Sequence, residues 1–146
     1  MRFTIRPANE SDKEKAFSSY KQTIGPYIAT AWGWDESFQQ DGFHKNNPIE
    51  KLKIIEVNSV FAGALHLVEE DLFIHLKTLY IIPHFQNKGI GTTIIDNIKH
   101  LASTQRKSVR LKVIDGNPAL RLYKKHGFII NSHENKLSEM VWQAKE

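Results

Sequence analysis

Apolar residues recur along this chain with two spacings, and the places where the spacing changes mark its elements. Phe3 and Ile5 alternate with polar neighbours, so Arg2 to Arg6 reads as a strand ended by Pro7. Ser11 and Glu14 stand three apart, as in a capping box, and predict a helix start. Phe17, Tyr20 and Ile24 follow at helical spacing, and Gly25-Pro26 predicts the stop. Residues 27 to 48 are less regular, although Tyr27, Ile28, Trp32, Trp34, Phe38 and Phe43 are many large apolar groups for a loop. Asp35 suits the cap of a short helix carrying Phe38, and Asn46-Asn47-Pro48 is a turn signal.

Three strand-like runs come next. Lys53 to Val57 and Val60 to Val68 are joined by Asn58-Ser59, a hairpin turn pair. After Glu69-Glu70-Asp71, the run Leu72 to Ile82 places Phe73, His75, Lys77, Leu79 and Ile81 on one face. Its other face is nearly all apolar, which suits packing beneath helices. From Gly89 the period turns helical, with a stripe of Ile90, Ile94, Ile98 and Leu101. Ser108 to Ile114 alternates again. Asn117 and Pro118 read as N-cap and first residue of a helix that reaches His126 and stops at Gly127. Phe128 to Ile130 and Glu139 to Trp142 read as closing strands. The order is strand, helices, three strands, helix, strand, helix, two strands. It predicts an α/β fold with a mixed sheet, antiparallel early, and one strand–helix–strand crossover.

Length and composition narrow the class. At 146 residues, with 40% hydrophobic and 25% charged, the chain suits one globular domain spanning 1–146. It has no cysteine, which excludes disulfides, thiolate metal sites and cysteine nucleophiles. No apolar run approaches the roughly 20 residues of a membrane span. Met1 to Arg6 lead into no signal-peptide core, so the expected compartment is the cytoplasm. The net charge of +4 suits a small anionic ligand as well as nucleic acid.

The chemistry concentrates in Leu79-Tyr80-Ile81-Ile82-Pro83-His84-Phe85-Gln86-Asn87-Lys88-Gly89-Ile90-Gly91-Thr92. A strand stops at proline, a short loop follows, and a helix opens among two glycines. Residues without a Cβ let backbone approach a ligand closely. A helix's first turn offers unpaired N–H groups and the positive end of its dipole. Together these make an anion site suited to phosphate, with Lys88 beside it. The spacing is not the dinucleotide fingerprint, because the third glycine position holds Ile94, and no G-K-[ST] follows. The pattern is Q-x-x-G-x-G. A second segment, Asn117-Pro118-Ala119-Leu120-Arg121-Leu122-Tyr123-Lys124-Lys125-His126-Gly127-Phe128, carries the form N-x-A-x-x-L-Y-x-x-x-G-F.

Both segments resemble the GCN5-related N-acetyltransferase (GNAT) superfamily, and residues 79–128 hold the likeness. The resemblance implies a central, mostly antiparallel sheet, splayed at an acetyl-CoA site and flanked by helices. It implies that Leu79 and Ile81 offer backbone groups to the acetyl and pantetheine arm, with Tyr80 between them. Gln86, Asn87, Lys88, Gly89, Ile90, Gly91 and Thr92 would wrap the pyrophosphate. Asn117 would hydrogen-bond the pantetheine arm, and Tyr123 would stand near the sulfur. Many members place the asparagine seven residues before the tyrosine, where this chain has Gly116; Asn117 lies six before it.

The implied reaction moves an acetyl group from acetyl-CoA directly to a primary amine of a small molecule, peptide or protein. An alkyl ammonium must first lose a proton, at a cost of about 4.6 kcal/mol at pH 7, so a base helps. Tyr123 would supply a proton donor to the departing thiolate. Some members carry a glutamate base on the splayed strand, where this chain has His75, and a neutral imidazole can serve. Asp35, Glu36, Glu69 and Glu70 are rivals, Glu36 foremost. Trp32, Trp34, Asp35 and Glu36 lie where the superfamily builds its acceptor wall, and aromatics with carboxylates suit a cationic amine. The other reading makes the tryptophans core filling and Asp35 a helix cap.

His66 and His75 hint at a metal pair, but no third ligand is spaced for one, so no metal is expected. Arg106, Lys107, Arg110, Lys112, Arg121, Lys124 and Lys125 cluster on late elements; one or two would meet the 3′-phosphate of CoA, or all would form a solvated face. Two rival functions are an acyl-CoA-binding module without catalysis and a basic nucleic-acid interaction domain. The second lacks interleaved aromatics or a nucleic-acid motif. Many relatives pair as homodimers, and no apolar seam in this sequence shows one.

Overall fold

The structure is a computed structural model, and it describes residues 1–144. Seven strands are β1 (Thr4–Pro7), β2 (Lys53–Val57), β3 (Val60–Glu69), β4 (Phe73–Ile81), β5 (Ser108–Ile114), β6 (Ile129–Glu134) and β7 (Leu137–Gln143). Five helices are α1 (Lys13–Thr23), α2 (Gly25–Trp32), α3 (Glu36–Asn46), α4 (Ile90–Gln105) and α5 (Ala119–Lys125). The strands form one mixed sheet in the order β1-β2-β3-β4-β5-β7-β6. Residue contacts divide the chain into two compact units, one of Met1–His66 with Thr78–Ile90, the other of Leu67–Lys77 with the chain from Gly91 on.

In the first unit β1 and β2 pair antiparallel, and β2 and β3 form the expected hairpin. Asn58 and Ser59 both take positive φ, 50° and 65°, which matches the twist of a two-residue hairpin. The core gathers Ala16, Phe17, Phe43, Leu52, Ile54, Ala64 and Tyr80. Gly63 has a steric reason to be glycine: a Cβ there would collide with the Tyr80 carbonyl oxygen.

The helical part of this unit departs from the sequence reading at three points. The capping box is not Ser11 with Glu14. The side chain of Asn9 accepts from Ser11 N–H, and Asp12 accepts from Asn9 N–H at 2.8 Å, so a 3₁₀ turn over Glu10–Asp12 precedes α1. Asp12 wins because it also receives two hydrogen bonds from Arg6, at 2.8 and 2.9 Å. Gly25-Pro26 ends α1 but also opens α2, since proline without its N–H suits a first helical turn. Much of the irregular stretch is therefore helical. Asp35 does cap α3, accepting from Phe38 N–H at 2.9 Å.

In the second unit β5 alternates cleanly, with Val109, Leu111 and Val113 buried and Arg110 and Lys112 exposed. It runs antiparallel to β7, which pairs on its far side with β6. The closing hairpin is longer than its sequence suggested. All of β6 is exposed, so no alternation marks it, and Asn135-Lys136 make a second positive-φ turn. α5 begins at Ala119, one residue later than expected. Pro118 takes the cap position expected of Asn117, and Asn117, one residue earlier, accepts from Ala119 N–H at 3.0 Å in a local turn. Gly127, at φ 90°, closes α5, with Trp142 against it.

The Arg6–Asp12 pair yields a stability prediction. Hydrogen bonds from Arg6 hold the Asp12 carboxyl below its ordinary value of 3.8. A carboxyl with a depressed native value adds stability above its unfolded value and loses it as pH falls through the native one. Asp12→Asn should cost about 1–2 kcal/mol at pH 7. The gap between variant and parent in urea melts should close as pH drops below that native value.

Candidate active site

β4 ends at Ile81, and a 3₁₀ turn over Pro83–Phe85 buries Phe85 and leads into the loop. Asn87 and Gly89 both take left-handed backbone, φ 61° and 85°, on either side of exposed Lys88. A Cβ on Gly89 would meet nothing within 4 Å. The glycine is required by its backbone angle, and the space beside it is open. α4 starts at once with Ile90, Gly91 and Thr92. A first turn has no intrahelical acceptors for its N–H groups, and these three donate to no described residue. The loop thus presents amide hydrogens, the positive end of a 16-residue helix and one lysine. Gly91 has a different reason from the one expected. A Cβ there would press on Leu122 Cδ2 at 3.3 Å, so its smallness serves helix packing.

On β4, Tyr80 is buried on the face opposite to Leu79 and Ile81. Its hydroxyl donates to Ala16 O at 2.6 Å and lies 2.8 Å from Ser19 Oγ, and burial pushes its pKa up. The side chain is thus committed to the core, and any ligand role of Tyr80 is left to its backbone. Gln86 folds back, and its Nε2 donates to Ile81 O at 2.8 Å. β4 pairs in parallel with β5 from Phe73↔Ser108 to His75↔Arg110.

Tyr123 is buried on α5, edge-on to Phe128 with ring centroids 5.5 Å apart. Its hydroxyl makes no hydrogen bond to a described residue, and burial raises its pKa. It therefore stays protonated across the neutral range. Asn117 spends its oxygen on the Ala119 amide and keeps its Nδ2 hydrogens for another acceptor.

His75 is half-buried on β4. Its pKa is lowered, first by burial and then by Lys77 and Lys112, so the imidazole is neutral at pH 7. Glu36 is a weaker base than the sequence suggested. It accepts from Lys21 Nζ and from Trp34 Nε1, both at 2.8 Å, and these bonds lower its pKa. Trp34 stacks on Phe17 at 6.2 Å, and Lys21 lies over its ring at 5.9 Å. Asp35 is the α3 cap. Trp32 ends α2 partly exposed. Trp34 and Glu36 are thus joined to each other, and Asp35 serves its own helix. Among the described residues no group of three or more His, Asp or Glu could hold a metal ion.

The sequence matches the family description "Acetyltransferase (GNAT) domain" over residues 18–142. The chain belongs to the GNAT acetyltransferase family. No curated protein matches it significantly by sequence. Among solved structures it is similar to PaiA N-acetyltransferase from Thermoplasma acidophilum in complex with coenzyme A: 18% identity, 99% of this chain and 100% of that one covered, TM-score 0.76. It is also similar to the ribosomal-protein-S18-alanine N-acetyltransferase from Escherichia coli: 17% identity, 97% and 94% covered, TM-score 0.69. Arabidopsis thaliana Naa50, solved with the bisubstrate analogue CoA-Ac-MVNAL, gives 16% identity, 97% of each chain covered and TM-score 0.64. Identities this low show the shared fold alone.

As a GNAT acetyltransferase the chain is an acyltransferase, and its sheet and flanking helices are those of the family fold. Two features escaped sequence reading. Lys21 as the partner of Glu36 depends on tertiary packing across fifteen positions, and no local signal marks it. Arg110 and Lys112 alternate on β5 and so share a face, but their register with His75 is set only by strand pairing.

The loop geometry yields a paired test. Gly89 and Gly33 both take positive φ, 85° and 84°, and a Cβ on either meets nothing within 4 Å. Alanine at either should cost about 1–2 kcal/mol of stability through backbone strain. Calorimetric titration should show coenzyme A affinity falling about tenfold or more in Gly89→Ala and unchanged in Gly33→Ala.

Proposed function

We propose that this GNAT protein transfers an acetyl group from acetyl-CoA directly to a primary amine, without a covalent enzyme intermediate. The observation that carries this is the loop from Gln86 to Thr92, with its left-handed glycine, open flank and first-turn amides without acceptors. These groups fit a diphosphate, which needs several N–H donors and positive potential in one place. Gln86, Asn87, Lys88, Gly89, Ile90, Gly91 and Thr92 would hold it there. Leu79 and Ile81 backbone would hold the pantetheine arm, and Asn117 would donate through Nδ2.

The substrate thioester supplies the activated acyl carbon. His75 is neutral and takes the ammonium proton, directly or through water. The amine nitrogen then bonds to the acyl carbon as the C–S bond breaks. The second nitrogen proton passes to the departing sulfur, and the Tyr123 O–H donates a hydrogen bond to that sulfur. The hydroxyl suits this role because burial keeps it protonated and no described residue accepts its hydrogen.

The acceptor is read as a peptide or protein amine before a small molecule, in line with neighbours described as acting on a ribosomal-protein alanine and as binding a peptide-linked CoA analogue. The reading treats residues 1–146 as one catalytic domain working in the cytoplasm. No described helix is long and apolar enough to cross a membrane.

Two variants test the chemistry. Tyr123→Phe should lower kcat by about 10–100-fold and leave coenzyme A affinity within a factor of about two. Full turnover would instead remove Tyr123 from the transfer step. His75→Ala should lower kcat more at pH 7 than at pH 9, where more amine is already neutral. An equal loss at both would remove His75 as base.

A further inference from the structure

The strand face that carries His75 is a basic surface, and nothing in the transfer chemistry requires it to be. His75 pairs in register with Arg110, and Lys112 stands two residues further along the same face of β5. Lys77 stands two beyond His75 on β4. Lys77, Arg110 and Lys112 are exposed, and none forms an ion pair with a described carboxylate. The carboxylates nearest the imidazole are Glu70, before β4, and Glu139, opposite Lys112 on β7. Glu139 is engaged, accepting from Asn131 Nδ2 at 2.7 Å. Phe73 completes the β4 row, with the Arg110 guanidinium 4.7 Å from its ring centroid.

Like charges set about 5–7 Å apart, along and across strands, repel unless something neutralises them. Here burial, Lys77 and Lys112 disfavour charge on the imidazole, and Arg110 stands in register across from it. Charge complementarity calls for an anion. A small anion is held in a concave site, whereas side chains standing on neighbouring strands of an exposed face meet a ligand from one side. An extended chain with carboxylates at intervals matches that geometry.

We infer that the acceptor is an acidic peptide segment, its amine presented to His75 and its Asp and Glu side chains lying on Lys77, Arg110 and Lys112. This rests on the proposed transferase reading and names its acceptor class. It also gives a reason for histidine at this position. A glutamate there would repel an acidic acceptor, whereas a neutral imidazole accepts the proton without adding negative charge.

The test uses the full chain with acetyl-CoA and a set of peptides that share one free amine. The residues near it are acidic, amide or lysine, and turnover is read by thiol release. The acidic peptide should exceed the lysine peptide in kcat/KM by about tenfold or more. The ratio should shrink as salt rises, because the cations are exposed. The double variant Lys77→Glu, Lys112→Glu should invert the preference, and because the readout is a ratio within one variant, a general loss of activity does not obscure it. Equal use of all peptides, or a lysine preference, overturns the acceptor class and leaves the transferase reading standing. Coenzyme A binding with no transfer to any peptide overturns the acceptor class, and no transfer to a set of small primary amines either overturns the transferase reading with it. A steep salt-dependent affinity for single-stranded RNA, with no peptide charge preference, assigns the face to nucleic acid instead and overturns the inference.

Discussion

The account turns on hydrogen-bond donors with nothing to donate to. Every helix leaves its first N–H groups without intrahelical acceptors, and side chains, water, a tightened turn or a ligand meet them. α3 uses the side chain of Asp35, and the 3₁₀ turn before α1 uses that of Asn9. At the start of α4 no described group fills that role for Ile90, Gly91 and Thr92. Buried polar groups are costly when unpaired, and exposed ones are met by water or by a ligand. A left-handed glycine with open space beside it brings the chain into this turn. α1, α2 and α5 also start without a side-chain cap bond, so it is the left-handed glycine and the open space beside these amides that read as a binding feature.

Around it, the first unit is tied together by buried polar contacts as well as by apolar packing. The Tyr80 hydroxyl reaches α1 through Ser19 and Ala16. Asn47, at the end of α3, donates to Phe43 O and accepts from Thr78 Oγ1 at 2.6 Å and His66 Nδ1 at 2.9 Å. Since the Asn47 oxygen can only accept, His66 carries its hydrogen on Nδ1. These bonds fix β3 and α3 to the part of β4 that the proposal assigns to the pantetheine arm. Gly63 fits the same purpose, because its missing Cβ leaves room for the Tyr80 carbonyl. Satisfied networks of this kind favour one arrangement over many, and transfer between two bound groups needs such fixity.

Much of the fold was legible before the structure. β2 to β5, α4 and the turn at Asn58-Ser59 are written in strong local signals: alternation, an isoleucine stripe, and residues that tolerate positive φ. Illegible parts had physical causes. β6 is exposed along its whole length, so after Ile129 and Ile130 it is polar and no alternation marks it. α2 follows α1 with almost no linker, and its Gly25-Pro26 start looks like a stop. The capping box moved to Asn9 because Arg6, on a strand six residues away, draws Asp12 into place. At the site, the Gln86–Thr92 loop and the α5 tyrosine were readable from spacing and family likeness. The commitment of Glu36 to Lys21, the core role of Tyr80 and the basic surroundings of His75 depend on register and packing, which a linear pattern does not contain.

The central claim is that the first-turn amides of α4 receive the diphosphate of coenzyme A. The most direct measurement follows the backbone amide signals of isotopically labelled protein by NMR, titrated with coenzyme A and, in parallel, with pantetheine, which lacks the diphosphate. The account predicts large downfield shifts of the Gly89 to Thr92 amide protons with coenzyme A and little movement of them with pantetheine. Saturable coenzyme A binding that leaves these amides unmoved while signals elsewhere shift would contradict it.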